Sequence, residues 1–88
     1  MYKDNDDTML FKISQDNESK ITDILRNVYA SLEEKGYEPK NQLIGYILSG
    51  DPSYITSHKD ARKQIRQIDR NDLLEELLTY YLKKHMIG

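Results

Sequence analysis

Three arginines recur at four-residue intervals in the second half of the chain, and their chemistry suits an anionic partner. Arg62, Arg66 and Arg70, which we call the basic stripe, would line one face if a single helix runs through them, with Lys59 and Lys63 beside them. A guanidinium group pairs with a phosphate or a carboxylate through two parallel hydrogen bonds. The alternative is an ordinary solvated helix face whose ion pairs contribute little. The residues alone leave both interpretations open.

A second candidate is Thr8, which follows a polar segment rich in aspartate. Residues 1–7 have no apolar period, and this composition predicts a mobile arm. A kinase can reach a hydroxyl in such an arm, and phosphorylation would add about −1.5 to −2 charges. That charge could dock on the basic stripe or repel an acidic partner. Most threonines in tails are unmodified, so on these grounds alone the switch is a hypothesis.

Catalytic and metal-binding patterns are weak. The two histidines, His58 and His85, have no HExxH-type spacing, and the chain has no cysteine. Gly45 and Gly50 lack the Gly-Lys-Ser/Thr sequence of a phosphate loop. The acidic pairs at 33–34 and 75–76 fall on the solvent sides of amphipathic helices. We therefore predict a protein that is not an enzyme and needs no cofactor or metal.

Size and composition favour a small cytoplasmic domain that associates with itself. A domain of 88 residues buries a marginal core, and without cysteine no disulfide can reinforce it. Oligomerisation is the remaining common remedy, and the seven tyrosines suit surfaces that are half apolar and half wet. The acidic first residues and short apolar runs argue against a signal peptide or a membrane span.

Both prolines and three of the four glycines lie between positions 36 and 52, and they divide the chain into helices. Gly36 is placed to end a first helix over about 18–35, whose inward stripe would contain Ile21, Ile24, Leu25, Val28, Tyr29 and Leu32. Pro39 is placed to open a second helix, which extends to about residue 48 and is closed by Gly50. Gly45 would allow close helix packing.

The remaining elements follow from cap residues and apolar spacing. Asp51 predicts a capped turn that carries Tyr54 and Ile55 inward. A third helix over about 58–68 would be opened by Ser57 and Asp60 as a capping pair. A fourth helix over about 71–85 has the widest apolar face of the chain, wider than one subunit would bury. Whether the third and fourth helices are separate stays open.

A helix-turn-helix protein that binds nucleic acid is the alternative. Two helices joined through residues 36–38 fit that motif. However, the second helix would be the recognition helix, and its exposed positions offer one cation, Lys40. An isoelectric point near 5.6 also disfavours a domain that depends on phosphate contacts.

The central sequence resembles a known family. The run from Val28 to Ile55, VYASLEEKGYEPKNQLIGYILSGDPSYI, is similar to the IreB/ReoM family of small Firmicute regulators. The similarity continues through HKDAR at 58–62, QIR at 64–66 and EEL at 75–77. Relatives often have Pro-Arg where this chain has Thr56-Ser57.

The resemblance implies a function as well as a fold. Members are cytoplasmic, all-helical homodimers with a mobile N-terminal arm, and they are substrates of a PASTA-type Ser/Thr kinase whose mark a cognate phosphatase removes. The phosphorylated threonine occupies the place of Thr8 here. In the better understood branch, the unmodified protein promotes ClpCP-dependent degradation of MurA, the first committed enzyme of peptidoglycan synthesis. Phosphorylation relieves this degradation, so cephalosporin tolerance rises.

We therefore expect an all-α homodimer, a compact bundle of four to five short helices, with a flexible arm over 1–16 and a helical domain over 17–88. The resemblance makes it a phospho-regulated adaptor with Thr8 as the switch. The residues expected to contact a partner are Tyr54, Arg62, Lys63, Arg66 and Arg70. The residues expected at the dimer seam are Leu77, Tyr80 and Tyr81.

Overall fold

The described part of the chain is all-α, as predicted. The computed structural model describes residues 19–87, and within that range it contains no strand. The four helices are α1 (19–34), α2 (Pro39–Ser49), α3 (Ala61–Ile65) and α4 (Arg70–Leu82). Two 3₁₀ turns, Pro52–Tyr54 and His58–Asp60, connect α2 to α3, and α4 continues as a π-helical turn over Lys83–Ile87. The predicted arm, with Thr8, lies outside the described residues.

The two corners that flank α2 form as their glycines and proline predict. Gly36 has a φ of 85°, in the left-handed region, and the following residue, Tyr37, donates from its backbone N to the Leu32 carbonyl at 2.9 Å. Pro39 opens α2. Gly50 closes it with a φ of 76° and donates to the Tyr46 carbonyl at 2.7 Å. The direction of α2 is therefore set by local backbone chemistry at both ends.

The turn after α2 is also capped as predicted. The Asp51 side chain accepts a hydrogen bond from the Ser53 backbone N at 3.0 Å. Ile55 is fully buried, but Tyr54 is 39% exposed, so the expectation that both point inward is correct for Ile55 alone. Gln42 Nε2 donates to the Tyr54 carbonyl at 2.9 Å, which ties this turn back to α2.

Helix α3 is shorter than the sequence predicts. Lys59 and Asp60 have φ values of 53° and 62°, which interrupt the helix expected from 58 onwards. The predicted capping by Ser57 is wrong, because its side chain makes no cap hydrogen bond. Instead, Thr56 Oγ1 accepts from the His58 backbone N at 3.1 Å.

The third and fourth helices are separate, which settles the question that the sequence left open. Asp69 has extended backbone angles (φ −63°, ψ 133°), so the chain leaves the helical conformation between Ile65 and Arg70. The Asp69 side chain then caps α4 by accepting from the Asn71 backbone N at 2.8 Å. A carboxylate at this position also interacts favourably with the positive end of the helix dipole.

The core lies where α1, the end of α2, the loop through Ile55 and α3 meet the start of α4. Its buried apolar residues are Ile21, Ile24, Val28, Leu32, Tyr46, Ile55, Ala61, Ile65, Ile68 and Leu73. The predicted inward stripe of α1 is thus largely confirmed, but Tyr29 is 51% exposed and does not belong to it. A fully buried Leu or Ile side chain contributes about 1.5–3 kcal/mol, so these contacts dominate the stability.

Most of α4 lies outside this core. Leu73 is its one buried residue, while apolar side chains farther along the helix remain accessible. They are Leu74, Leu77, Leu78, Tyr80, Tyr81 and Leu82. The expectation that one subunit does not consume the apolar face of α4 is confirmed for the described residues. The structure contains one chain, so homodimerisation stays a prediction.

Candidate partner-binding surface

The basic stripe is divided between two helices. Arg62 lies in α3, Arg66 is the residue that ends it, and Arg70 is the first residue of α4. All three arginines would share one face only if a single helix ran through them, and the extended backbone at Asp69 interrupts that helix. The four-residue spacing of these arginines therefore does not place all three on one helix face.

Arg62 and Arg70 each donate a hydrogen bond to a backbone carbonyl of the segment 47–55. Arg62 Nε donates to the Ile55 carbonyl at 2.8 Å. Arg70 Nη1 donates to the Ile47 carbonyl at 2.8 Å, and its guanidinium lies over Gly50 so closely that a Cβ there would be 2.8 Å from Cζ. Each guanidinium has five N–H donors, so each retains donors for a partner while it supports the turn.

Lys63 and Arg66 are differently placed. Both are exposed, and within the described residues neither side chain makes a hydrogen bond or an ion pair. Their charges are therefore available without breaking an existing contact. Among the five residues predicted to contact a partner, these two have no structural task in residues 19–87.

The Tyr54 ring packs against Gly45, and the next residue, Ile55, accepts the hydrogen bond from Arg62. The tyrosine ring occupies the space where a side chain on Gly45 would be, since a Cβ at that position would come within 2.6 Å of the ring Cδ1. Gly45 therefore permits close packing, as predicted, but against a tyrosine ring in the following turn. Because Arg62 binds the carbonyl of Ile55, the structure brings Tyr54 and Arg62 to adjacent positions.

Asp51 adds a negative charge near Arg62. The pKa of its carboxyl is lowered, first by the hydrogen bonds from Ser53 and then by the Arg62 charge. The Asp51 carboxylate thus lies close enough to Arg62 to interact with its charge.

A charged cluster that the sequence did not indicate joins α1 to the turn before α3. Glu34 Oε1 lies 2.7 Å from His58 Nε2, and Glu34 Oε2 accepts from Lys59 Nζ at 3.3 Å. Asn27 Nδ2 donates to the Lys59 carbonyl at 3.0 Å and to Gln64 Oε1 at 2.8 Å. The pKa of Glu34 is lowered, first by the hydrogen bond with His58 and then by that with Lys59.

Glu34 is therefore more than a solubilising residue, and Lys59 is committed to it rather than to the basic stripe. The partners lie 24 and 25 positions apart, a separation at which no local pattern predicts a contact. Asn27 adds a fixed hydrogen bond to a backbone with positive φ, which supports the strained turn.

The three residues expected at a dimer seam share one face of α4. Leu77, Tyr80 and Tyr81 are 42%, 62% and 55% exposed, and their spacing places them on adjoining turns. Lys84 Nζ lies 5.9 Å from the Tyr80 ring centroid, and the Tyr81 and His85 rings are 4.5 Å apart. The tyrosines thus contact side chains four residues farther along the chain, and more than half of each remains exposed.

Helices long and apolar enough to cross a bilayer do not occur in the part of the chain that the structure describes. Within the same residues, no three His, Asp or Glu side chains converge as metal ligands would.

The fold defines a small all-α domain with exposed basic side chains, Lys63 and Arg66, and with an exposed apolar face on α4. Its sequence matches the family model described as IreB regulatory phosphoprotein over residues 6–83. A UPF0297 protein of Ruminiclostridium cellulolyticum is 51% identical over 79 residues, which are 90% of each chain. A UPF0297 protein of Acetivibrio thermocellus is 50% identical over 80 residues, 91% of this chain and 89% of the relative.

The chain therefore belongs to the IreB regulatory phosphoprotein family, and the resemblance found in its sequence is confirmed. Membership supports a regulatory role. The matched range begins before Thr8, so it includes the predicted phosphorylation site. Neither the match nor the geometry supports a nucleic-acid-binding role, since α2 contains Lys40 as its single cation.

Proposed function

We propose that the protein is a non-enzymatic adaptor of the cytoplasm that controls peptidoglycan synthesis. In its unmodified state it promotes degradation of MurA by the ClpCP protease. Phosphorylation of Thr8 by a PASTA-type Ser/Thr kinase ends this activity, and the cognate phosphatase restores it. The observation that carries the proposal is the family match over residues 6–83, since it covers both the threonine and the helical domain.

The surface that contacts the partner is the cationic corner, which consists of Tyr54, Arg62, Lys63, Arg66 and Arg70. Lys63 and Arg66 supply charge that is not used within the described domain, and the half-exposed Tyr54 ring supplies apolar area beside it. Tyrosine and arginine are the residue types that most often dominate binding energy at interfaces. An acidic surface on the protease or on MurA would complement this corner.

Phosphorylation acts through charge on this corner. A phosphate adds negative charge to an arm that already contains four aspartates. Such an arm competes with an acidic partner for the same guanidinium and ammonium groups, so modification weakens the partner complex. A homodimer formed through Leu77, Tyr80 and Tyr81 would present two such corners, and two linked contacts bind more tightly than one.

Reconstituted turnover of purified MurA by ClpCP tests the proposal. We expect MurA to disappear faster when the unmodified chain is added, and the paired change Lys63→Glu with Arg66→Glu to abolish that acceleration. The matched control is Lys40→Glu, which reverses an exposed cation on α2, far from the corner in sequence. Turnover that is independent of the chain, or equally lost with Lys40→Glu, would remove the cationic corner from the mechanism.

A further inference from the structure

An open trough lies between the last turn of α2 and the first turns of α4. It has a volume of about 350 Å³ and is lined by Ile47, Asp69, Arg70, Asn71 and Leu74. Its apolar lining residues are Ile47 and Leu74, of which Leu74 is 49% exposed, and the α2 residues Ile44 and Leu48, outside the lining, are 47% and 80% exposed. Ile44, Ile47 and Leu48 are spaced to share one side of α2. Accessible apolar area of this kind marks a binding surface.

The N-terminal end of α1 lies beside this trough. A second, smaller cavity of about 60 Å³ is lined by Lys20 and Ile21 of α1 together with Ile68, Asp69 and Asp72. Asp69 borders both cavities, so the first turn of α1 and the trough share this residue as a neighbour.

The sequence before α1 contains an apolar run within reach of the trough. The run is Met9-Leu10-Phe11-Lys12-Ile13, and five residues separate it from position 19. Five extended residues span about 17 Å at 3.3–3.6 Å per residue, which exceeds the rise of about 7.5 Å from Asp69 to Leu74 along α4.

The charges of the trough and of this run occur in the same order. Asp69 and Asp72 lie at the α1 end, and Lys12 is the charged residue of the run nearest to α1. Arg70 lies inside the trough, and the acidic residues Asp6 and Asp7 precede the run. A segment docked in the trough could thus pair Lys12 with Asp69, or the acidic residues before the run with Arg70.

We propose that residues 9–13 dock intramolecularly in this trough and cover Ile47 and Leu74. A tether this short gives an effective concentration in the millimolar range, which favours the chain's own segment over a second copy at micromolar concentration. The docked segment brings Thr8 to the Arg70 side of the domain. This docking is a property of the unmodified chain, so it stands or falls independently of the kinase, ClpCP and MurA.

Introduced cysteine pairs test the docking directly, because the chain has no cysteine of its own. Leu10→Cys and Phe11→Cys are each combined with Leu74→Cys, so that either register can be trapped, and the full-length chain is oxidised at micromolar concentration. Docking predicts that one of these pairs closes an intramolecular disulfide about tenfold faster than the control pair Phe11→Cys with Tyr29→Cys. Tyr29 has an equivalent exposure of 51% and lies nearer in sequence, so an undocked segment would reach it at least as readily.

Each outcome decides the question. Equal closing rates for the test and control pairs would overturn the docking. Disulfide-linked dimers on a non-reducing gel would also overturn it, and would assign the trough to a second copy. As an independent readout without cysteines, the double change Leu10→Asp with Phe11→Asp should shift the amide resonances of Ile47, Asn71 and Leu74; unchanged resonances would contradict the proposal.

Discussion

Arg70, the first residue of α4, donates from Nη1 to the backbone carbonyl of Ile47 in the last turn of α2, at 2.8 Å. This hydrogen bond joins two helices that meet at an exposed trough, and it satisfies a carbonyl that the end of α2 leaves without a helical partner. Arg70 therefore has a structural task in addition to the partner contact proposed for it.

The first prediction separates these two tasks. Arg70→Met removes the donor but keeps much of the side-chain volume, and we expect it to destabilise the fold by about 1 kcal/mol, since the contact is exposed. In a domain of this size that lowers the melting temperature by about 4–8 °C, measurable by circular dichroism. The matched control, Arg66→Met, removes an exposed arginine whose side chain makes no hydrogen bond or ion pair in residues 19–87, and it should leave the melting temperature unchanged. Equal shifts would show that the Arg70 hydrogen bond contributes nothing.

The second prediction concerns the packing of Tyr54 on Gly45. Gly45→Ala places a methyl group within 2.6 Å of the Tyr54 ring atom Cδ1, so the two would clash. We therefore expect destabilisation of about 1–2 kcal/mol despite the better helix propensity of alanine. In a Tyr54→Ala background the clash is absent, and the same change should stabilise α2 by up to about 1 kcal/mol. Urea unfolding of the four chains measures this reversal of sign. A destabilising Gly45→Ala in both backgrounds would mean that the ring does not occupy this space.

The third prediction is a dependence of stability on pH that comes from Glu34. Its pKa is lowered from the ordinary value of 4.5 by His58 and then Lys59, so its contribution to stability is fully present above 4.5 and is lost as the pH falls through the lowered pKa. We expect Glu34→Gln to be less stable than wild type at about pH 7, and the difference to shrink as the pH falls through the lowered pKa of Glu34.

The neighbouring Glu33→Gln is the control for this effect, because the Glu33 side chain makes no ion pair in the described residues. Urea midpoints measured across the acidic range would show the converging curves for Glu34→Gln and parallel curves for Glu33→Gln. Parallel curves for both variants would contradict the role of the cluster. The contribution of the Asp51 carboxylate to the stability of the fold should also be lost as the pH falls, since its pKa is lowered as well.

The fourth prediction tests the dimer seam on α4. Leu77→Glu and Tyr81→Glu place charge on one side of the accessible apolar face, and both residues are exposed enough for the monomer to fold. We expect sedimentation equilibrium to show a dimer for wild type and a monomer for either variant, with unchanged helicity. Thr79→Glu, on the opposite side of α4, should remain dimeric. A monomeric wild type, or variants that dimerise as wild type does, would place the seam elsewhere or remove it.

The fold was largely predictable from short-range signals. Gly36, Pro39 and Gly50 each act through their own backbone angles, so the ends of α2 could be derived without knowledge of the rest of the chain. The apolar spacing of α1 predicted Ile24 and Val28 correctly, because burial on one helix face follows from its period.

The errors arose where tertiary contacts overrode local preference. Nothing in the sequence near Lys59 indicates a positive φ, and that conformation is accompanied by the Asn27 hydrogen bond from α1. The four-residue spacing of the arginines suggested one helix face, whereas the extended Asp69 places Arg70 on a separate helix. The structural tasks of Arg62 and Arg70 depend on carbonyls that only the folded chain brings near.

The proposed mechanism requires that reversible phosphorylation of Thr8 controls partner binding by the cationic corner. The most direct measurement is the rate of MurA degradation by ClpCP with stoichiometrically phosphorylated chain, compared with unmodified chain and with Thr8→Ala treated with the same kinase. The account predicts acceleration by the unmodified chain, no acceleration by the phosphorylated chain, and full acceleration by Thr8→Ala after kinase treatment. Equal acceleration by the phosphorylated and unmodified chains would contradict it.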